Sequence, residues 1–186
     1  MPASPVPAPR DDQTLIARCN QGDAGAFEQL YYQYRDWVYR LALRFTCDPQ
    51  DALDVLQETF SYLLRKFPGF VLTANLTTFL YPVVKNTSIR IREKRRRVRL
   101  DEDVLENVPA GSHQHSDFNA DLHSILAGLP DAHREVVLMR FVDDMALDEI
   151  ATALCVPLGT VKSRLHHAIN NIRNDPRAAG YFREPD

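Results

Sequence analysis

Between Arg99 and Asp101 the chain changes sign. Residues 1–100 carry 15 Lys and Arg against 10 Asp and Glu, whereas residues 101–186 carry 7 against 15. A split of that kind between halves points to two modules with different partners. The reversal coincides with a change of composition. Asp101, Glu102, Asp103 and Glu106 lead into the Pro, Gly, Ser and His of Pro109 to Ser116, so residues 100–116 read as a flexible linker. With 186 residues, 45% of them hydrophobic, the chain can bury one core or two small ones.

On either side of the linker nearly every segment reads as helix, which makes the chain all-α: an N-terminal helical bundle over 11–99 and a C-terminal helix-turn-helix domain over 117–175. Asp11 or Asp12 can cap a short helix carrying Leu15, Ile16 and Cys19, which Gly22 ends. Asp23 caps a long helix in which Phe27, Leu30, Tyr31, Tyr34, Val38, Leu41, Ala42 and Phe45 recur at three- and four-residue steps. Tyr31, Tyr34, Trp37 and Tyr39 belong to its core and rim rather than to a stacking platform. Asp48-Pro49 then supplies an N-cap and a first-turn proline. In the helix that follows, Leu53, Leu56, Phe60, Leu63 or Leu64 and Phe67 form the expected apolar stripe. Asp51, Asp54, Gln57 and Glu58 stay polar on another face, either an ordinary solvated one or one that meets a basic helix of another protein. Phe67-Pro-Gly-Phe70 breaks the chain, a threonine-rich loop runs from Leu72 to Thr78, and a further helix spans about Leu80 to Arg97.

That helix ends in the most charged stretch of the sequence. Lys85, Arg90, Arg92, Lys94, Arg95, Arg96, Arg97 and Arg99 face only Glu93, a density that suits contact with a phosphate backbone; the alternative is a basic helix end in solvent. In the second module Leu122, Ile125, Leu126 and Leu129 give one helix. Pro130-Asp131 opens another with Val136, Val137, Met139 and Phe141. The run from Leu147 to His167 then reads as a short helix, a tight turn at Cys155-Val156, and a helix started by Pro157. Its Val161, Leu165, Ala168 and Ile172 pack inward, leaving Thr160, Lys162, Ser163, His166, His167 and Asn170 to point elsewhere. This is a helix-turn-helix with small polar and basic groups where base edges in a major groove would be read.

Other classes are poorly served. No P-loop, G-x-S-x-G or H-E-x-x-H is present, so no enzyme is expected. His113, His115 and His123 lack a nearby fourth ligand, so neither a metal nor any other cofactor is expected. Cys19, Cys47 and Cys155 contain no C-x-x-C pair and read as buried thiols of a reducing compartment. MPASPVPAPR (residues 1–10) reads as a disordered tail rather than a signal peptide, 176–186 as a second tail. No apolar run approaches the ~20 residues that cross a bilayer, which implies a cytoplasmic protein without membrane insertion.

Five blocks in order, GDAGAFEQLYYQY (22–34), DALDVLQETF (51–60), FLYPVVKN (79–86), LPDAHREVVLMRF (129–141) and DEIATALCVPLGTVKSRLHHA (148–168), resemble the extracytoplasmic-function sigma factors. The resemblance implies a transcription initiation factor that binds core RNA polymerase and reads the minus-ten and minus-thirty-five elements of promoter DNA. It implies that Asp51, Asp54, Gln57 and Glu58 meet the clamp helices of the largest subunit. It assigns Asn75, Thr77, Thr78, Phe79, Lys85, Asn86, Arg90, Arg92, Arg95 and Arg96 to the minus-ten element. Thr160, Lys162, Ser163, Arg164, His166 and His167 would read the minus-thirty-five element, with that domain against the polymerase flap. An anti-sigma factor is a further possible partner. The chain departs from the family's usual pattern at Phe79 (commonly Trp), Pro82 (Arg), Arg90 (Asp), Ala146 (Ser or Thr) and Cys155 (Gly), and at His166-His167, where arginines are usual. The competing class is a helix-turn-helix regulator of LuxR type, which shares the G-T-V-K pattern but has no use for the DALDVLQETF helix.

Overall fold

A computed structural model describes residues 12–102 and 124–178 of the chain, and these fall into two compact units. The N-terminal tail, residues 179–186 and most of the linker, with Leu122, His113, His115 and His123, lie outside the described residues; the first three residues of the expected C-terminal tail are ordered, with Ala178 buried. All regular structure among the described residues is helical. The first unit contains α1 (Asp12–Asn20), α2 (Ala24–Thr46), α3 (Pro49–Leu64) and α4 (Leu76–Glu102). The second contains the helical residues 124–127 (α5), α6 (Asp131–Phe141), α7 (Leu147–Leu154) and α8 (Leu158–Asn174), followed by a 3-10 turn at Pro176–Ala178.

In the first unit local chemistry sets the helix ends. Asp23 Oδ1 accepts from the Ala26 N–H at 3.2 Å, and Asp48 Oδ1 accepts from the Gln50 and Asp51 N–H groups at 2.9 and 3.0 Å. Each carboxylate satisfies donors that a helix start leaves open. The Arg18 guanidinium also holds the Asp23 carboxyl below its usual range. α2 supplies the centre of the core: Leu30, Val38, Leu41 and Ala42 are sealed from solvent, and Tyr34 and Trp37 nearly so. One polar anchor lies among them. Asp12, 3% exposed, accepts from Tyr34 Oη at 2.5 Å and from Gln33 Nε2 at 3.2 Å. Burial, together with that carboxylate, pushes the Tyr34 hydroxyl far up.

α3 buries Phe60 and Leu63 of the expected stripe, but its packed face is rotated away from Leu53 and Leu64. The stripe that enters the core is Ala52, Val55, Thr59 and Leu63, together with Phe60, whereas Leu53 and Leu64 are 48% and 53% exposed. Both sets satisfy a helical period. The smaller set wins because small side chains let α3 approach α2 and α4 closely. α4 also begins earlier than expected. The Asn75 carbonyl accepts from the N–H groups of Thr78 and Phe79, and Leu76, Thr77 and Thr78 are buried. The helix runs unbroken through Pro82. The loop therefore ends at Asn75 rather than Thr78.

The second unit has a smaller core. Val136, Met139, Met145, Ile150, Val161 and Ala168 are its most deeply buried residues, with Leu126, Leu165 and Ile172 packed against Leu129, Val137 and Ala168. Phe141, expected on the inner face of α6, is 64% exposed. Ala146 offers no side-chain cap to α7, and Glu149 compensates in part by accepting from the Ala146 N–H at 2.7 Å. Of the cysteines only Cys19 is buried. Cys47 and Cys155 are exposed, and each ends a helix in the left-handed conformation, at φ 57° and 54°, a site that favours glycine.

Candidate nucleic-acid interface

The polar residues of α3 and the basic residues of α4 face one another across a shallow cleft lined by Asp54, Gln57, Glu58, Arg90, Ile91, Lys94 and Arg95. Arg95 Nη1 lies 2.8 Å from both Asp48 Oδ2 and Asp51 Oδ2. One guanidinium thus ties the α3 cap to its first turn. Asp51 is only 8% exposed and faces Arg95 rather than solvent. The Asp51 N–H, and after it Arg95, hold the Asp48 carboxyl below its usual range; Asp51 and then Asp48 raise Arg95. Two turns further along α3, Arg90 Nη2 donates to Glu58 Oε2. Arg92 Nη1 donates to the Phe45 carbonyl at 2.9 Å, whereas Lys94, Arg96 and Arg97 project into solvent.

Four of the residues expected at two different surfaces are therefore paired: Asp51 with Arg95, and Glu58 with Arg90. Asp54 and Gln57 are exposed. Beside them Phe27, Tyr31, Leu53, Leu56, Phe60 and Leu64 line an apolar groove that also contains Gln57 and Ser61. Of the residues expected to face the minus-ten element, Asn86 is exposed and Asn75, Lys85 and Phe79 are half-buried, whereas Thr77 and Thr78 are buried inside the first turn of α4. Phe79 sits in a train of rings, 4.8 Å from Phe70 and stacked 6.3 Å from Tyr62. Phe70 in turn meets Phe67, and Phe67 meets Phe27 of α2.

Asn20 is the residue that sequence reasoning missed. From the last position of α1 its Oδ1 accepts from the N–H groups of Gly69 and Phe70, at 2.7 and 3.0 Å, and its Nδ2 donates to the Phe70 carbonyl at 2.9 Å. The only local signal was an Asn near a helix end, which predicts a cap and says nothing of a partner fifty residues away.

In the second unit α7, the turn at Cys155 and α8 form the helix-turn-helix. Val156 N–H donates to the Ala151 carbonyl, and Thr160 N–H to that of Pro157, which opens α8. Lys162, Ser163, His166 and His167 are exposed along α8; Thr160 and Arg164 are half-buried. His166 Nε2 lies 3.0 Å from Asn170 Nδ2, and the His167 ring stacks on His133 of α6 at 6.1 Å. No group of three or more His, Cys, Asp or Glu suited to a metal occurs among the described residues. No helix among them is long and apolar enough to cross a membrane.

The comparisons fall on these two units. Residues 30–98 match the Sigma-70 region 2 family and residues 125–174 the Sigma-70, region 4 family. The RNA polymerase sigma-H factor of Pseudomonas aeruginosa is 30% identical over 84% of this chain and 89% of its own length. The ECF RNA polymerase sigma factor SigW of Bacillus subtilis is 28% identical over 87% and 95%. Among solved structures, CnrH in complex with the cytosolic domain of CnrY aligns with a TM-score of 0.64 at 23% identity, covering 86% of this chain and 93% of that one. RpoE of Bartonella quintana, in complex with the anti-sigma factor NepR, aligns with a TM-score of 0.60 at 22% identity, covering 78% and 92%. Region 2 and region 4, in that order, define a sigma factor of the sigma-70 class, a transcription initiation factor rather than a LuxR-type regulator. The chain belongs to the extracytoplasmic-function sigma factors.

Proposed function

We propose that the exposed part of the α3 face, Asp54 and Gln57 with the neighbouring apolar groove, docks on the clamp helices of core RNA polymerase. Glu58 belongs to this surface, whereas Asp51 acts through Arg95, whose position it fixes. The loop up to Asn75, with Phe79, Lys85 and Asn86, addresses the minus-ten element, and Arg92 and Arg96 contact its phosphates beside Arg90 and Arg95. Buried Thr77 and Thr78 support that loop from below. On α8, Thr160, Lys162, Ser163, Arg164, His166 and His167 read the minus-thirty-five duplex. The chain acts in the cytoplasm and performs no covalent chemistry of its own. Because RpoE is described in complex with the anti-sigma factor NepR, we include an inhibitor of that kind among the partners.

The observation that carries this reading is the α3–α4 seam, a cleft in which exposed Asp54 and Gln57 of α3 adjoin Arg90, Lys94 and Arg95 of α4. Its test is a reconstituted holoenzyme. Asp54→Arg with Gln57→Arg should abolish capture of core polymerase while the melting temperature stays unchanged; unaltered capture by the folded double variant would remove the docking claim.

A further inference from the structure

We infer that Asn20, which sequence reasoning assigned to neither DNA surface, is a positioning residue for the promoter-opening loop. The inference rests on the minus-ten reading of that loop given above. The side-chain amide makes three hydrogen bonds to two adjacent peptide groups, pairing with them as a neighbouring strand would. Only one amide orientation serves: the oxygen must face two N–H donors and the nitrogen a carbonyl. Gly69, at φ 100°, gives the backbone the bend that turns both N–H groups toward Asn20. Asn20 therefore fixes the peptide at Phe70, while the Phe70 ring, 4.8 Å from Phe79, fixes the same residue against α4.

The consequence falls on the next four residues. Val71, Thr73 and Ala74 are exposed, Leu72 is half-buried, and the segment is held again at Asn75, whose carbonyl starts α4. A short exposed segment pinned at both ends presents its backbone and side chains in one arrangement, so a flipped or unpaired base meets a preformed site rather than an ensemble. Removing the pin at Phe70 leaves the backbone there unheld, with the segment attached at Asn75 and through the contacts of the Phe70 ring with Phe67 and Phe79. Asn20 touches neither DNA nor polymerase in this scheme and works wholly through the loop.

The experiment uses holoenzyme made with full-length protein and a fluorescent single-stranded oligonucleotide carrying the non-template minus-ten sequence, with a scrambled oligonucleotide as control. Asn20→Ala should weaken binding of the cognate strand by about fivefold to tenfold, the scale of one or two lost hydrogen bonds, and leave capture of core polymerase and binding of the scrambled strand unchanged. Asn20→Asp keeps the two accepted bonds and loses the donated one, so it should fall between wild type and alanine. Equal cognate binding by wild type and Asn20→Ala overturns the inference, as does a loss that tracks a fall in melting temperature and in polymerase capture. If Asn20→Ala does not fold, the Asp variant alone decides: wild-type cognate binding by it overturns the donated-bond part of the pin. Wild-type holoenzyme that fails to distinguish cognate from scrambled strand overturns the minus-ten reading itself.

Discussion

The two helices proposed to meet DNA handle charge in opposite ways. On α4 the arginines nearest the core are committed, Arg95 to Asp48 and Asp51, Arg90 to Glu58 and Arg92 to the Phe45 carbonyl. On α8 the exposed groups are Lys162, Ser163 and two histidines whose close neighbours are Asn170 and a third histidine ring. One surface is strongly charged but held in place by internal partners. The other is weakly charged and open to make hydrogen bonds. Phosphate attraction supplies affinity and base-edge bonding supplies discrimination, so the two units divide those tasks.

The largest effect that would sharpen this contrast is structural. Leu41→Ala should destabilise the first unit by about 3 kcal/mol, since it empties a sealed site among large side chains. A urea titration should then show the first unit's transition moved while that of the second stays in place. Breaking the internal pairing comes next. Asp51→Asn keeps the shape but removes the charge facing Arg95, which is 40% exposed at its side chain, so solvent screening limits the loss to about 1 kcal/mol. The same variant frees Arg95 and should raise affinity of holoenzyme for promoter DNA at low salt. Unchanged affinity with unchanged stability would show that the pair constrains nothing.

These two variants also mark how far the sequence could be read. The caps at Asp23 and Asp48, and the start of α8 after Pro157, were legible because a cap is settled by residues three or four positions away. The face of α3 was not. The expected stripe of Leu53, Leu56, Phe60 and Leu63 or Leu64 shares only Phe60 and Leu63 with the buried set; Ala52, Val55 and Thr59 have the same period, and the choice is made by α2 and α4 at long range. The partners of Arg95 lie more than forty residues away, as do those of Asn20, and no local pattern encodes either. Cys47 and Cys155 are exposed at left-handed helix ends; the glycine usual at the second position signalled that conformation, whereas nothing local signalled it at Cys47.

Smaller effects test the division of tasks directly. Replacing Arg96 and Arg97 with glutamine should flatten the salt dependence of promoter binding by about 0.9 per lost phosphate contact. Replacing His167 with alanine should leave that slope alone and change which minus-thirty-five sequences are preferred, read from a library of promoter variants. At the helix ends, Cys155→Gly should stabilise the second unit by about 0.5–1 kcal/mol by relieving a left-handed conformation, and Cys47→Gly should do the same for the first. Acid should produce the least specific change. Asp23 and Asp48 in the first unit and Asp175 in the second, the last held at about 2 by Arg177, all have depressed pKa values. Their contributions are complete above the ordinary carboxylate range and vanish as pH falls through the lowered values. Both units should therefore lose melting temperature together below about pH 4, not one before the other.

The pairing of Arg90 and Arg95 with Glu58, Asp51 and Asp48 also bears on how the free protein travels through a crowded nucleoid. Any chromosome presents an enormous excess of irrelevant duplex, and a protein covered in bare arginine lingers on it. A guanidinium already neutralised by a carboxylate displaces fewer ions from the double helix and gains less by touching it. The first unit thus carries a dense basic sequence while showing passing DNA only part of that charge. On the proposed reading, that leaves more of the free protein for a polymerase to collect.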